Sequence, residues 1–525
     1  MKDYMNMKTI KTWMLLIAGL LLTAGCANDD VAQKDTDTDN GNDKNLTTFV
    51  TGAEPTSRTS MDYASGNFYW EAGDYIYVQD DNGAWQKSSN APTAKTDHFK
   101  FMVPGKFKNH TSYKVYYPGK NGNKDQVTIS AAQTQETPNT TAHFGASGDC
   151  GTATANKVTG KIQFEFALDH QAAYLVFQPY TSNTVLKDCY LTKVEVTSDN
   201  DITDTYTLTS SGALTGGTGT GKQIVLTTQG SGAYANGFPL NTTAASLATN
   251  GAYMVIKPGT HVLKVRYWVK DMATNVEGTI TKTLSSFEYK KNTYYDMTAD
   301  LNVKDYDSDH YYQWDAQEQY WKGHEWWSAN KDQPTLPNQN GRNAPPTYPD
   351  PRAANRSNPG SGVSNPATRA SFNNVPNVNE MVWYAQKGDP RWDGDELWTT
   401  MGHLYKGGMW FKKKSQISGF NANTAPDGND WRTIHNVYSG TPSSTLPSAA
   451  DAGNYFYLPA FGEFMAGTGV WHDVGIGNYW SSSAYPFYWI LDAYYLSFYS
   501  VTVRVSNFSR FYGFRAQPFS DFGDN

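Results

Sequence analysis

The 525-residue chain carries 43 Lys and Arg against 50 Asp and Glu, a formal charge of −7, and 14% of it is Phe, Trp or Tyr. This length makes room for about three domains, and an acidic balance without a basic stripe argues against nucleic acid as a partner. High aromatic content with 45 glycines and abundant Thr and Ser favours short strands and turns over helices, so the predicted fold class is mainly β.

In chain order, Lys8 and Lys11 precede an apolar run over residues 13–22, too short to span a bilayer and of the length of a signal-peptide core. It ends in Leu22-Thr23-Ala24-Gly25-Cys26, which resembles a bacterial lipobox, with Thr23 departing from the usual aliphatic residue. The expectation is a signal peptide over 1–25 and lipidation of Cys26, which tethers the chain to the outer membrane through two or more acyl chains. Residues 26–47 are polar and acidic and read as a flexible tether. Asp29 and Asp30 resemble the export signal that carries lipoproteins of Bacteroidetes-type bacteria to the cell exterior. Cys150 and Cys189 remain after the anchor; a disulfide and two buried thiols are both open.

From residue 48 to about 300, strand runs recur between Gly, Asn, Asp and Ser turns, at 75–78, 113–117, 162–168, 173–177, 191–196, 223–226, 253–256 and 262–269. In the last, alternation puts Val265, Tyr267 and Val269 on one face. Two β-sandwich-like subdomains, 48–180 and 181–300, fit this spacing. "TSRTSMDYASGNFYWEAGDYIYV" (56–78) and "FEFALDHQAAYLVFQ" (164–178) resemble signatures of fimbrillin-like lipoproteins, whose pilins are two-subdomain β-sandwiches. In polymerising members a protease cuts after an early Arg and a neighbour's strand replaces the one removed. The resemblance implies Arg58 as a candidate processing site and other pilus subunits as partners; a solvated arginine before the first strand is the competing reading.

Two motif-like strings and the histidines carry no chemistry. "GGTGTGKQ" (216–223) has Gln223 where a phosphate loop needs Ser or Thr and is followed by strand-like "IVLTT", so a hairpin turn is expected. "DYDSDHYYQWDA" (305–316) has His310 and Ala316 where a calcium loop needs Gly and Glu, and reads as a solvated acidic turn. The histidines have no metal-ligand spacing; no metal and no cofactor is expected.

Residues 301–370, with the Pro- and Asn-rich stretch 338–366, read as a linker. Beyond it, Trp383, Trp392, Trp398, Trp410, Trp431, Trp471, Trp480 and Trp489 supply the core of a third domain, 371–525. Asn377 as a cap, with Met381, Val382, Tyr384 and Ala385, predicts a short helix. "YFYLPAFGEF" (455–464), "GNYWSSSA" (477–484), "LSF" (496–498) and "SRFYGFRAQPF" (509–519) resemble the C-type-lectin-like α+β fold shared by formylglycine-generating enzymes and by variable proteins of diversity-generating retroelements. The enzyme's reactive Cys has no counterpart after Cys189, so no catalytic residue and no enzymatic activity is expected. The Glu-Pro-Asn and Trp-Asn-Asp signatures of calcium-dependent lectins do not occur.

Between 485 and 512 Tyr, Phe and Ser recur without Lys, Glu, Gln or Met. In retroelement-diversified proteins, randomised adenines of Asn-type codons reach every residue of this stretch but Trp489; a strand-rich segment favours many of the same residues. Alternation places Leu496, Phe498, Val501, Val503 and Val505 inward, with Ser497, Tyr499, Thr502, Arg504 and Ser506 outward across a turn near Ser500. An exposed aromatic group of Tyr485, Phe487, Tyr488, Tyr494, Tyr499, Phe508, Phe511 and Tyr512 then marks a recognition surface. With Ile490, Asp492, Tyr495, Ser500 and Asn507 it makes the candidate binding site for a protein or glycan at the cell surface. The functional expectation is a surface lipoprotein adhesin displaying this domain on a fimbrillin-like stalk, with a structural pilus subunit or tip as the alternative.

Overall fold

The computed structural model describes residues 46–52, 60–63, 67–328, 350–355, 366–466, 469–486 and 491–525. Cys26, Asp29, Asp30, Arg58, Phe487, Tyr488, Trp489 and Ile490 lie outside the described residues. The fold is mainly β, as expected.

The first sheet gathers strands between Leu46 and His170. Strand β1 (Leu46–Thr51) lies between β2 (Lys100–Pro104) and β3 (Gln163–Phe166), and runs parallel to β3 with Phe49 opposite Phe164. Alternation turns Thr47, Phe49 and Thr51 inward, and the fully buried Phe49 ring stacks on Phe164 and meets Phe107 edge-on. Trp70 is also fully buried, against Phe101, Tyr117 and Phe166. The reversal after it uses Gly73 at φ +83°, a conformation that favours glycine, and the buried Asp74 carboxylate, which accepts from the Glu71 N–H and the Tyr117 hydroxyl.

A second group of sheets centres on β4 (Cys189–Ser198) and β5 (Leu263–Asp271), with β6 (Glu277–Thr283) beyond β5. Val265, Tyr267 and Val269 are buried as the alternation requires. The division at residue 180 does not follow the sheets. Gln126–Ile129 pairs with Asp204–Leu208, Ala132–Thr134 with Gln223–Thr227, and Ala173–Tyr180 with Ala252–Ile256 and Thr293–Asp300. The Gly-rich loop 216–222 is not a hairpin turn: it joins Leu214–Thr215 to Gln223–Thr227, which lie in different sheets. Cys150 and Cys189 are free and buried, and burial pushes both thiols above their ordinary pKa, that of Cys189 to about 12.

In the C-terminal part, α1 (Val378–Lys387) starts at a capping box in which Asn377 accepts from the Glu380 N–H while Glu380 accepts from the Asn377 N–H. It packs Val378, Met381, Val382, Tyr384 and Ala385 into a core between two sheets. The first sheet joins Lys304–Asp305 to β7 (Arg391–Thr400), β8 (His403–Lys412) and β9 (Tyr455–Pro459). After a short hairpin, β10 (Glu463–Phe464) with β11 (Trp471–His472), come β12 (Gly477–Ala484), β13 (Asp492–Tyr499), β14 (Thr502–Ser509) and β15 (Phe514–Arg515). These four share the second sheet with Tyr311–Tyr312 and Tyr438–Gly440.

The described part of 301–370 is therefore not a linker. Lys304–Asp305 and Tyr311–Tyr312 are strands of the two C-terminal sheets, and Tyr311, Trp314 and Tyr320 are fully buried. The indole of Trp314 donates to the Ser481 carbonyl at 2.9 Å, and the buried Asp315 carboxylate accepts from the N–H groups of Thr368 and Arg369. Aromatic side chains of this size must be covered, and the C-terminal core is where they find cover. The acidic turn is likewise engaged: Asp307 contacts His310 at 2.7 Å and pairs with the buried Arg515.

A seam ties the C-terminal part to the second β group. Leu397 and Leu404 are buried in the latter's core, and Gly278 leaves room for Leu397, whose Cδ2 would stand 2.5 Å from any Cβ there. The Asp271 carboxylate, 4% exposed, accepts from the N–H groups of Ala273 and Leu404 at 2.8 and 3.0 Å and faces His403 Nδ1 at 3.2 Å. Among the described residues no helix is long and apolar enough to cross a membrane.

Candidate functional site

Strands β13 and β14 form a hairpin whose two-residue loop is Ser500–Val501, because Tyr499 pairs with Thr502, Ser497 with Arg504 and Tyr495 with Ser506. One face carries Tyr494, Leu496, Phe498, Val503 and Val505, all buried against α1 and its neighbours. Phe498 is fully buried, stacked on Tyr479 and edge-on to Phe411. Val501, expected inside, sits in the loop and is 58% exposed; a turn of two residues leaves it no place in either strand.

The opposite face is closed at one end and open at the other. At the closed end Ala493, Tyr495, Trp480 and Phe514 form a second core with Trp314, Phe372 and Val375. Phe508 and Tyr512 are half-buried against it, with their ring centroids 4.7 Å apart. Toward the loop the same face opens: Ser497 and Thr502 are half-buried, Ser500 and Arg504 exposed, and Tyr499 is 40% exposed. The Arg504 guanidinium donates to Ser506 Oγ at 3.2 Å.

Much of the expected aromatic surface is thus interior. Tyr485, Tyr494 and Phe511 are buried, and so are Tyr495 and Ser506. The Tyr494 hydroxyl donates to the Ile434 carbonyl at 2.9 Å, and its ring meets Tyr485 at 5.1 Å. Asp492 is half-buried and accepts from the Asn507 amide at 2.7 Å; burial raises its carboxyl pKa against the opposing effects of Asn507 and Arg510. Of the described candidate residues outside that second core, those that stay accessible form one short row, Ser497, Tyr499, Ser500, Thr502 and Arg504, with Asn507 beside Asp492. It combines an aromatic ring, hydroxyls and a guanidinium, groups able to stack on and hydrogen-bond to a polar ligand.

Next to this row is a cluster absent from the sequence expectations. Glu463 and His472 are cross-strand partners of β10 and β11, and with Asp473 they bring three potential ligand atoms within 4.8 Å of one another. Asn478, the register partner of Ser497, donates to Glu463 Oε2 at 2.7 Å, which puts the carboxylate on the Ser497 face of the sheet. Burial, with Asp473 adding and His472 opposing, pushes the Glu463 carboxyl up to about 7. Adjacent His472 and Asp473, nine residues after Glu463 across a hairpin, was the signal available in the sequence. A separate cavity of about 230 Å³ is lined by Lys304, Tyr306, Glu396, Trp410 and Tyr457 among others.

No family model and no curated protein matches the chain. Three solved structures to which it is similar are these. A candidate cell adhesion protein from Bacteroides ovatus is 14% identical, over 49% of this chain and 93% of that one, with a TM-score of 0.30. The fimbrial anchor protein Mfa2 from Porphyromonas gingivalis is 12% identical, over 46% and 82%, with a TM-score of 0.23. A fimbrial protein from Bacteroides ovatus is 10% identical, over 89% and 98%, with a TM-score of 0.24.

Proposed function

We propose that the chain is a non-enzymatic adhesin of the cell surface, lipid-anchored to the outer membrane through Cys26, that holds a protein or glycan ligand on the open end of the β13–β14 face. The observation that carries this reading is that one sheet face changes, within four residues of strand, from a sealed aromatic core at Tyr495 to an accessible row at Ser497, Tyr499, Thr502 and Arg504. Nothing in folding calls for a half-exposed tyrosine beside an exposed arginine there, whereas recognition surfaces favour both. The seam at Asp271 supports a display role, since it joins the C-terminal part to the second β group through a buried carboxylate.

The test is binding of the full chain to a glycan and surface-protein array, repeated with Tyr499→Ser and Arg504→Ser. Loss of a captured ligand without loss of thermal stability supports the reading; unchanged capture by both variants refutes it. Fatty-acid labelling that is abolished by Cys26→Ser tests the anchor. Diversification of the segment 485–512 is part of this proposal for its accessible positions, and is tested in neighbouring DNA by a near-copy differing at adenines beside a reverse transcriptase.

A second reading, a pilus subunit, is favoured by β1. This strand precedes Arg58 in sequence and lies between two neighbours with Phe49 in the core, so a cut after Arg58 would free it for replacement by another copy's strand. Arginine-specific proteolysis followed by a ladder of oligomers supports that reading, and a cleaved chain that stays monomeric refutes it.

A further inference from the structure

We propose that Glu463 and His472, oriented by Asn478 and Asp473, form a binding site for a divalent cation of the zinc class beside the open hairpin face. The two ligand atoms face each other: Glu463 Oε1 lies 3.5 Å from His472 Nε2. The other atom of each side chain has its own polar neighbour. Glu463 Oε2 accepts from Asn478 at 2.7 Å, and His472 Nδ1 lies 3.1 Å from Asp473 Oδ2. A carboxylate 3.1 Å from one ring nitrogen favours the tautomer that carries the proton there and leaves a lone pair on the other, as behind metal-ligating histidines. With the proton on Nδ1 and Glu463 ionised, two electron-pair donors confront each other, and a separation of 3.5 Å is too long for a direct hydrogen bond of ordinary strength. His472 Nε2 is buried and makes no hydrogen bond.

The separation suits an ion. Two ligands each about 2.1 Å from a tetrahedral centre stand about 3.4 Å apart. One imidazole and one carboxylate favour zinc-class ions over calcium or magnesium, which take oxygen ligands. Glu463 is 8% exposed and sits on one strand of the hairpin, with His472 opposite it on the other, so the backbone and not two mobile surface side chains sets the spacing. Two chain ligands leave coordination positions for water or for a donor atom of a bound partner. The site goes beyond the adhesin reading and does not depend on it.

The experiment is titration of the full chain, stripped of metal, with Zn²⁺ by calorimetry, and with Co²⁺ by visible absorption. Expected are one tight equivalent of zinc, a tetrahedral cobalt spectrum, and a zinc-dependent rise in thermal stability. Glu463→Gln and His472→Gln should abolish all three, while Asp473→Asn, which removes only the orienting charge, should weaken affinity roughly 10- to 100-fold. Far-UV circular dichroism of each metal-free variant confirms that it is folded, and Glu463→Gln keeps the side-chain volume should the histidine variant fail. Absence of a tight zinc equivalent, equal binding by both Gln variants, or tighter binding of Ca²⁺ than of Zn²⁺ overturns the proposal.

Discussion

Tyr494 separates recognition surface from core most sharply. An outward tyrosine on an edge of sheet tolerates Ser, whereas the structure buries this one completely, edge-on to Tyr485 and hydrogen-bonded to the Ile434 carbonyl. Removing a buried aromatic ring costs about 3–5 kcal/mol. Tyr494→Phe isolates the hydroxyl: it leaves the Ile434 carbonyl without this donor and costs about 1–2 kcal/mol. Tyr499→Ser, in the same strand but 40% exposed, should cost under about 1 kcal/mol. Urea denaturation followed by tryptophan fluorescence reads all three. With an m-value of about 2 kcal/mol per molar, Tyr494→Ser lowers the midpoint by roughly 2 M, Tyr494→Phe by under 1 M, and Tyr499→Ser by under 0.5 M. If Tyr494→Ser shifts the midpoint no further than Tyr499→Ser, the ring is not in the core and the assignment of faces in β13 is wrong.

Three further outcomes follow from the same packing. Phe49→Ala, which removes a fully buried ring stacked on Phe164, should cost about 3–5 kcal/mol and expose β1 to proteolysis; unchanged protease resistance counts against β1 as a core strand. At Asp271, burial raises the carboxyl pKa, but the Leu404 and Ala273 N–H groups and His403 more than offset it, so it ends below its ordinary value. A depressed pKa means stability present above the unfolded value near 4 and lost as pH falls through the lowered folded-state value; Asp271→Asn should therefore destabilise at pH 7 and converge with wild type as acid protonates the folded carboxylate, and a gap that does not narrow with falling pH refutes the charge as its source. With Cys26 replaced by Ser, Cys150 and Cys189, buried and with raised pKa, should ignore a thiol reagent in the native state and both react in denaturant; native reactivity would contradict their burial.

The parts legible in the sequence are those where one local signal decides. Alternation in β5 puts Val265, Tyr267 and Val269 on a single face because Lys264, Arg266 and Lys270 mark the other as the open one, and the Asn377–Glu380 box opens α1 where the apolar spacing begins. Strand β13 has no such asymmetry. Tyr494 and Tyr495 are consecutive, so they point to opposite faces, and both are buried; a strand covered on both sides and one with an exposed aromatic face look alike when the residue is tyrosine, which suits either place. What decides between them is the cover, and the cover comes from Trp314, Phe372 and Val375, of which Trp314 and its neighbours lie in the stretch whose Pro- and Asn-rich continuation makes it read as a linker. Setting 301–370 outside the domain removes the lid from the outer face of the hairpin and leaves Tyr495, Phe508 and Tyr512 with nowhere to go but solvent, whereas Tyr494, in step with Leu496 and Phe498, belongs to the inner face. With the lid in place, the described outer-face positions left open to solvent are the short row Ser497 to Arg504, and Glu463 reaches this face through Asn478, the register partner of Ser497; its pairing with His472 is one that no sequence period signals, because a hairpin turn, not a helix or strand repeat, sets the distance between them.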